Sequence, residues 1–206
     1  MSETTKKPPE TFVEITLDGN KISAPEGSTI LDVCKQANID TPTLCWAENL
    51  TPVNVCRVCV VEVEDSRALV PSCSRPIEEG MVVSTESERV NTSRRMVLEL
   101  LASSVELDRA DKEIIEWMNY YGSNPDRMGN SNEVKTSKQP VKIQDNLYVR
   151  DYERCILCYK CVEACGEDAQ HTFAIATAGR GFEAHISTEF DVELPESACV
   201  YCGNCI

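Results

Sequence analysis

The sequence predicts an α+β protein made of small modules in series. Three observations carry that reading. Apolar residues alternate at period two over roughly the first 85 residues. From residue 88 to 121 they recur at helical spacing, and seven of the twelve cysteines fall in the last 60 residues. At 206 residues and 42% hydrophobic content the chain is long enough to bury cores of its own.

Residues 12 to 24 set Val13, Ile15 and Leu17 between polar neighbours and turn at Asp18-Gly19-Asn20, a β-hairpin pattern. After Pro25-Glu26-Gly27, Ser28 or Thr29 can cap a helix whose apolar residues Ile30, Val33, Cys34 and Ala37 share one face. Residues 58–63 and 68–70 read as strands around a turn at Asp65-Ser66, and 81–84 as another. A helix is expected over 88–103, carried by Val90, Val97, Leu98 and Leu101. A second is expected around Ile114, Trp117, Met118 and Tyr121, ended by Gly122. Residues 122–146 are polar, rich in Gly, Pro, Asn and Ser, and without periodicity, as in a linker or long surface loop. The expected modules are therefore 1–86, a helical segment 87–122, a linker 123–146 and a cysteine-rich domain 147–206.

Acidic residues outnumber basic ones 34 to 20, a formal charge of −14 that repels phosphate backbones and anionic membrane surfaces, so nucleic acid is not an expected partner. No run of 18 apolar residues is present, and the opening MSETTKKPPETF lacks the apolar core of an export signal. The expectation is a cytoplasmic protein with no membrane-spanning segment. In such a reduced compartment, clustered cysteines point to metal ligation rather than disulfides.

Cys45, Cys56, Cys59 and Cys73 are spaced Cx10CxxCx13C, in or beside loops that flank the expected strands. Thiolate is a soft donor that stabilises both Fe(III) and Fe(II), so four of them around two irons make a one-electron carrier. The alternative is a structural Zn(Cys)4 site, although such sites usually have two CxxC halves and this set has one. TLCWAENLTPVNVCRVCVVEVE followed by VPSC resembles the N-terminal ferredoxin-like domain shared by complex I 75 kDa-type subunits, NAD-linked formate dehydrogenases and NAD-linked or [FeFe] hydrogenases. The resemblance implies a β-grasp fold with one [2Fe–2S] cluster on these four cysteines. Cys34, on the apolar face of the first helix, reads instead as core packing.

In that family the ferredoxin-like domain is usually followed by LLxSxHPxDCxxCxxxxxC, whose His and three Cys hold a further [4Fe–4S] cluster. This chain has LLASSVELDRADKEIIEWM, and the four ligand positions become Val105, Arg109, Lys112 and Met118. None of these binds iron as thiolate or imidazole does. The helical segment is therefore expected to be retained for packing without its cluster. Trp117, Tyr120 and Tyr121 read as core or interface rather than redox relays.

Cys155, Cys158, Cys161 and Cys165 form CxxCxxCxxxC, and Cys199, Cys202 and Cys205 begin the same motif again. In two-cluster bacterial-type ferredoxins the first three cysteines hold one cubane and the fourth ligates the other. Cys165, Cys199, Cys202 and Cys205 are then the ligands of one [4Fe–4S] cluster. Cys155, Cys158 and Cys161 hold the second, whose fourth ligand is expected beyond residue 206. The expectation is a fragment of a longer polypeptide; a natural end with a cluster completed by a partner is the alternative. Gly166 stands where Pro commonly follows the fourth cysteine, and His171 and His185 read as solvent-facing or structural.

No nucleophile–base pair, phosphate-binding glycine loop or nicotinamide fingerprint is present; GRG at 179–181 is too short. The chain is expected to carry electrons without converting substrate itself. ESACVYCGNCI looks most like the ferredoxin module that opens NAD-linked, molybdopterin-dependent formate dehydrogenase catalytic subunits. That resemblance implies a molybdopterin domain downstream and a partner flavin/NAD-binding diaphorase subunit, with molybdopterin, FMN and NAD held outside this segment. The alternatives are the iron–sulfur diaphorase subunit of an NAD-linked hydrogenase, a complex I-type subunit, or a non-redox zinc scaffold.

Overall fold

A computed structural model describes residues 11–129 and 140–206. The expectations placed on the first ten residues and on the middle of the 123–146 stretch lie outside the described residues. Two compact units are formed. One comprises the chain up to Thr41 with Cys59–Val90, the other Pro42–Val58 with Asn91–Ile206.

The first unit is a five-stranded mixed sheet crossed by one helix. Strand β1 (Phe12–Leu17) pairs antiparallel with β2 (Asn20–Pro25) through the two-residue turn Asp18-Gly19, whose φ values of 48° and 82° match the right-handed twist of the hairpin. Asp18 tolerates that conformation and Gly19 has no Cβ to oppose it. The Asp18 carboxylate also accepts from the Thr85 amide and hydroxyl, both at 2.7 Å, which ties the turn to the end of a later strand. Helix α1 (Ile30–Gln36) starts in a capping box: the Asp32 amide donates to Thr29 Oγ1 at 3.2 Å and the Thr29 amide to Asp32 Oδ2 at 2.8 Å. Of the two caps open in the sequence, Thr29 is the one used.

Strands β3 (Val60–Val63), β4 (Val70–Pro71) and β5 (Val82–Ser84) complete the sheet in the order β2-β1-β5-β3-β4. β5 runs parallel to β1, while the β3 pairings are antiparallel. Ile15 and Leu17 from β1, Val61, Val83, and Ile30, Val33 and Cys34 from α1 form the core, all 1% exposed or less. Each such aliphatic side chain contributes about 1.5–3 kcal/mol by burial. Cys34 packs in this core, as its place on the helix face indicated.

Helix α2 (Glu88–Ala102) leads into the second unit, where α3 (Lys112–Tyr120) follows with Asp111 accepting from the Glu113 amide at its start. Leu98, Ala102, Ile114 and Met118 bury one apolar cluster with Leu44 and Val58. Two charges are buried beside these helices, and both have partners. Arg94 donates to the Tyr121 hydroxyl at 2.6 Å, and Glu99 accepts from Arg127 at 3.0 Å and the Asn124 amide at 3.1 Å.

Next come β6 (Lys142–Ile143) paired with β7 (Val149–Arg150), α4 (Lys160–Cys165), and the hairpin of β8 (Ile175–Ala178) with β9 (His185–Thr188). Strand β6 falls within the stretch expected to be linker. Two residues per strand leave no periodicity to read, and the Asp145 side chain closes the turn by accepting from the Leu147 and Tyr148 amides at 2.7 and 2.8 Å. Among the described residues, no helix is long and apolar enough to cross a membrane.

Candidate metal centres

The two thiolate-loop repeats of the second unit have the same backbone geometry. In Cys155-Ile156-Leu157-Cys158-Tyr159, Leu157 and Tyr159 have φ of 53° and 62°. In Cys199-Val200-Tyr201-Cys202-Gly203, Tyr201 and Gly203 have φ of 57° and 79°. These are equivalent positions, two and four residues past the first cysteine. In each loop the left-handed residue two past the cysteine turns its amide back onto the thiol. Leu157 N–H donates to Cys155 Sγ and Tyr201 N–H to Cys199 Sγ, both at 3.4 Å. Left-handed backbone costs a residue with a Cβ about 1–2 kcal/mol. It recurs at three non-glycine positions, and at two of them, Leu157 and Tyr201, it aims the backbone amide at a cysteine sulfur.

Cys161 and Cys165 are placed by α4, which starts at the left-handed Tyr159 and ends at Gly166. Cys155, Cys161, Cys165 and Cys199 pack against the apolar cluster of Ile175, Ile186 and Leu194. Cys165, Cys199, Cys202 and Cys205 line one pocket with Tyr148 and Thr172. The structure thus brings together the four cysteines that the interlocked motif assigns to one cubane. Burial, then the negative thiolates of Cys158, Cys155 and Cys205, push the Cys161 thiol up to about 12; burial likewise raises Cys155 and Cys205. Partly buried and exposed cysteines gathered where their thiolates repel one another suit a core of iron cations, which would offset that repulsion and the cost of desolvation.

The first cysteine set appears as two close pairs. In the second unit, the Cys45 thiol hydrogen-bonds to Cys56. That bond holds Cys56 down to about 5 and raises Cys45, with burial adding to the rise of Cys45. In the first unit, buried Cys59 and Cys73 have their Sγ atoms 3.5 Å apart, far beyond a disulfide bond. Among the described residues, no group of three or more His, Cys, Asp or Glu side chains is arranged to hold a single metal ion. In a polynuclear cluster the thiolates are divided among several irons, so their sulfurs need not converge on one point as they do around zinc.

At the positions of the family's additional cluster, Val105 and Met118 are buried, Met118 within the helical core. Arg109 reaches Asp151 Oδ2 at 3.3 Å and Glu153 Oε2 at 2.8 Å, and Lys112 is exposed at the start of α3. His171 is exposed, and His185 Nδ1 lies 2.9 Å from the Glu183 carbonyl oxygen. Sequence reading missed Thr172, whose hydroxyl lies 3.3 Å from Cys165 Sγ. It also missed Tyr148, which stacks on Tyr201 with centroids 5.5 Å apart and donates to the Tyr201 carbonyl at 2.9 Å. Neither lies in a motif, so no local signal marks them.

Residues 10–88 match the 2Fe-2S iron-sulfur cluster binding domain family, and residues 148–171 the 4Fe-4S binding domain family. The NADP-reducing hydrogenase subunit HndD of Solidesulfovibrio fructosivorans is 36% identical over 95% of this chain and 34% of its own length. A putative formate dehydrogenase of Staphylococcus haemolyticus is 29% identical over 93% of this chain and 19% of its own. The chain matches the N-terminal iron–sulfur module of such oxidoreductases. It spans about a third of the hydrogenase subunit and a fifth of the formate dehydrogenase. A chain in the crystal structure of an NAD+-reducing [NiFe]-hydrogenase in the H2-reduced state superposes on this iron–sulfur module with a TM-score of 0.68 and 26% identity. That match covers 85% of this chain and 74% of the other. This chain thus has an α+β architecture, a [2Fe–2S] ferredoxin-like domain followed by a [4Fe–4S] domain.

Proposed function

We propose that this iron–sulfur module relays single electrons within an NAD(P)-linked oxidoreductase, without converting substrate itself. Cys45, Cys56, Cys59 and Cys73 hold one [2Fe–2S] cluster. Cys155, Cys158 and Cys161 supply three ligands of one [4Fe–4S] cluster, and Cys165, Cys199, Cys202 and Cys205 hold the other. The modules run 1–86, 87–122, 123–146 and 147–206. The observation that supports this most is the repeated left-handed loop, with a backbone N–H donated to a cysteine sulfur in each copy. Amides aimed at sulfur stabilise added negative charge, which is how a protein tunes a cluster's potential.

Within that reading, formate is the proposed electron source. Oxidation at a molybdopterin domain delivers electrons through these clusters to a flavin/NAD diaphorase subunit. The resemblance of ESACVYCGNCI and the putative formate dehydrogenase among the relatives support it. A hydrogenase is the second reading, favoured by the higher identity to the hydrogenase subunit. Anaerobically isolated protein is expected to be brown, with iron, sulfide and EPR signals of both cluster types; a colourless, zinc-loaded protein overturns the redox reading. Formate-dependent NAD(P)+ reduction by the native complex, without hydrogen-dependent reduction, supports the first electron source, and the reverse result the second.

A further inference from the structure

The loop between Cys45 and Cys56 is joined to the cysteine-rich segment by a two-pronged contact at its tip. The Thr51 amide donates to Asp168 Oδ2 at 2.7 Å and the Thr51 hydroxyl to Asp168 Oδ1 at 2.8 Å, so both carboxylate oxygens are taken by one residue 117 positions away. Both residues belong to the same compact unit. Both ends of this solvent-exposed contact are anchored locally by backbone hydrogen bonds. Asp168 lies three residues beyond Cys165, and its own amide donates to the Glu163 carbonyl of α4 at 3.3 Å, on the helix that carries Cys161 and Cys165. Thr51 follows the turn closed by the Leu50 amide on the Ala47 carbonyl at 3.2 Å. A second contact sits at the base of the loop. Leu44 and Val58, the neighbours of Cys45 and Cys59 in sequence, are buried with Leu98, Ile114 and Met118, and both Cys56 and Ile156 of the Cys155–Cys158 loop pack against that cluster.

We propose that Thr51 and Asp168 are positioning residues that hold the Cys45–Cys56 loop at a fixed separation from the four-iron ligands. The apolar base alone leaves the tip of a loop without regular structure free to swing about Leu44 and Val58. A charge-assisted pair at the tip removes that freedom, because two bonds from one residue to one carboxylate fix orientation as well as distance. The transfer this serves passes one electron between the two-iron and a four-iron centre, one being oxidised as the other is reduced, with no proton or bond change. Such a transfer depends steeply on separation. The inference rests on the electron-relay reading above.

The test uses the full chain with its clusters loaded, reduced with dithionite, with Asp168→Ala and Thr51→Val beside the unaltered protein. The readout is the magnetic interaction between the reduced two-iron and four-iron spins, by EPR relaxation and pulsed dipolar measurement, which reports separation independently of turnover. Asp168→Ala is expected to broaden the interspin distance distribution at unchanged iron content. Thr51→Val, which keeps the amide donor, is expected to broaden it less, and Asp168→Asn, which keeps one acceptor oxygen, falls between. A narrow, unchanged distribution in loaded Asp168→Ala and Thr51→Val overturns the clamp while leaving the relay reading intact. Absence of a two-iron signal from the unaltered protein overturns both.

Discussion

Replacing Thr172 by Val tests whether Cys165 ligates a cluster whose electronics the protein tunes. The Thr172 hydroxyl lies 3.3 Å from Cys165 Sγ and 3.4 Å from the Cys165 carbonyl oxygen, so its one proton has two possible acceptors. Once Cys165 is an iron-bound thiolate it has no proton to give, and the hydroxyl must be the donor. A hydrogen bond to a charged acceptor contributes about 1.5–3 kcal/mol. The competing carbonyl and the persistence of some bonding in both redox states reduce the differential to about 1 kcal/mol, which for a one-electron couple is about 40 mV. The sign follows from charge. The reduced cluster carries one more negative charge, the donor stabilises it, and Thr172→Val lowers the midpoint potential. A redox titration followed by EPR is expected to show one four-iron signal shifted down by tens of millivolts, with Thr172→Ser restoring it. No shift in any signal in fully loaded Thr172→Val refutes the assignment of that hydrogen bond, and an upward shift refutes the reasoning about sign.

Leu98 is fully buried in the helical core, so Leu98→Ala is expected to destabilise the protein by about 2–5 kcal/mol, read as a lower denaturation midpoint. Lys142 bonds the Asp191 carboxylate and holds it below the usual carboxylate range. A depressed acid contributes stability above its unfolded-state value, and that contribution is lost as the pH falls through the lower folded-state value. Because Asp191 is largely exposed, Lys142→Met is expected to cost a few tenths of a kcal/mol at neutral pH and nothing once Asp191 is protonated, measured as the gap between melting temperatures across an acid titration. With Val105, Arg109, Lys112 and Met118 in place of iron ligands, iron per chain is expected not to exceed about ten, the content of one two-iron and two four-iron clusters. A higher count by elemental analysis contradicts the loss of the additional cluster.

What the sequence determined by itself is local. The first hairpin, a cap at Ser28 or Thr29, the two helices and the thiolate motifs depend on residues a few positions apart, where covalent geometry leaves few options. The same holds for Cys34, whose helical neighbours predict its burial. The short strands β6 and β7 were not legible, because two residues per strand leave no period and pairing with another segment decides them. Nor were the left-handed Leu157, Tyr159 and Tyr201, since no residue type there advertises that backbone. Tertiary structure alone decided that Leu44, Val58 and Cys56, at the base of the Cys45–Cys56 loop, pack with Leu98, Ile114 and Met118 of the two helices. The Thr51–Asp168 contact spans 117 residues, and its two side chains carry no motif. Such a bond exists only once the chain has folded and brought an ordinary threonine amide to an ordinary carboxylate.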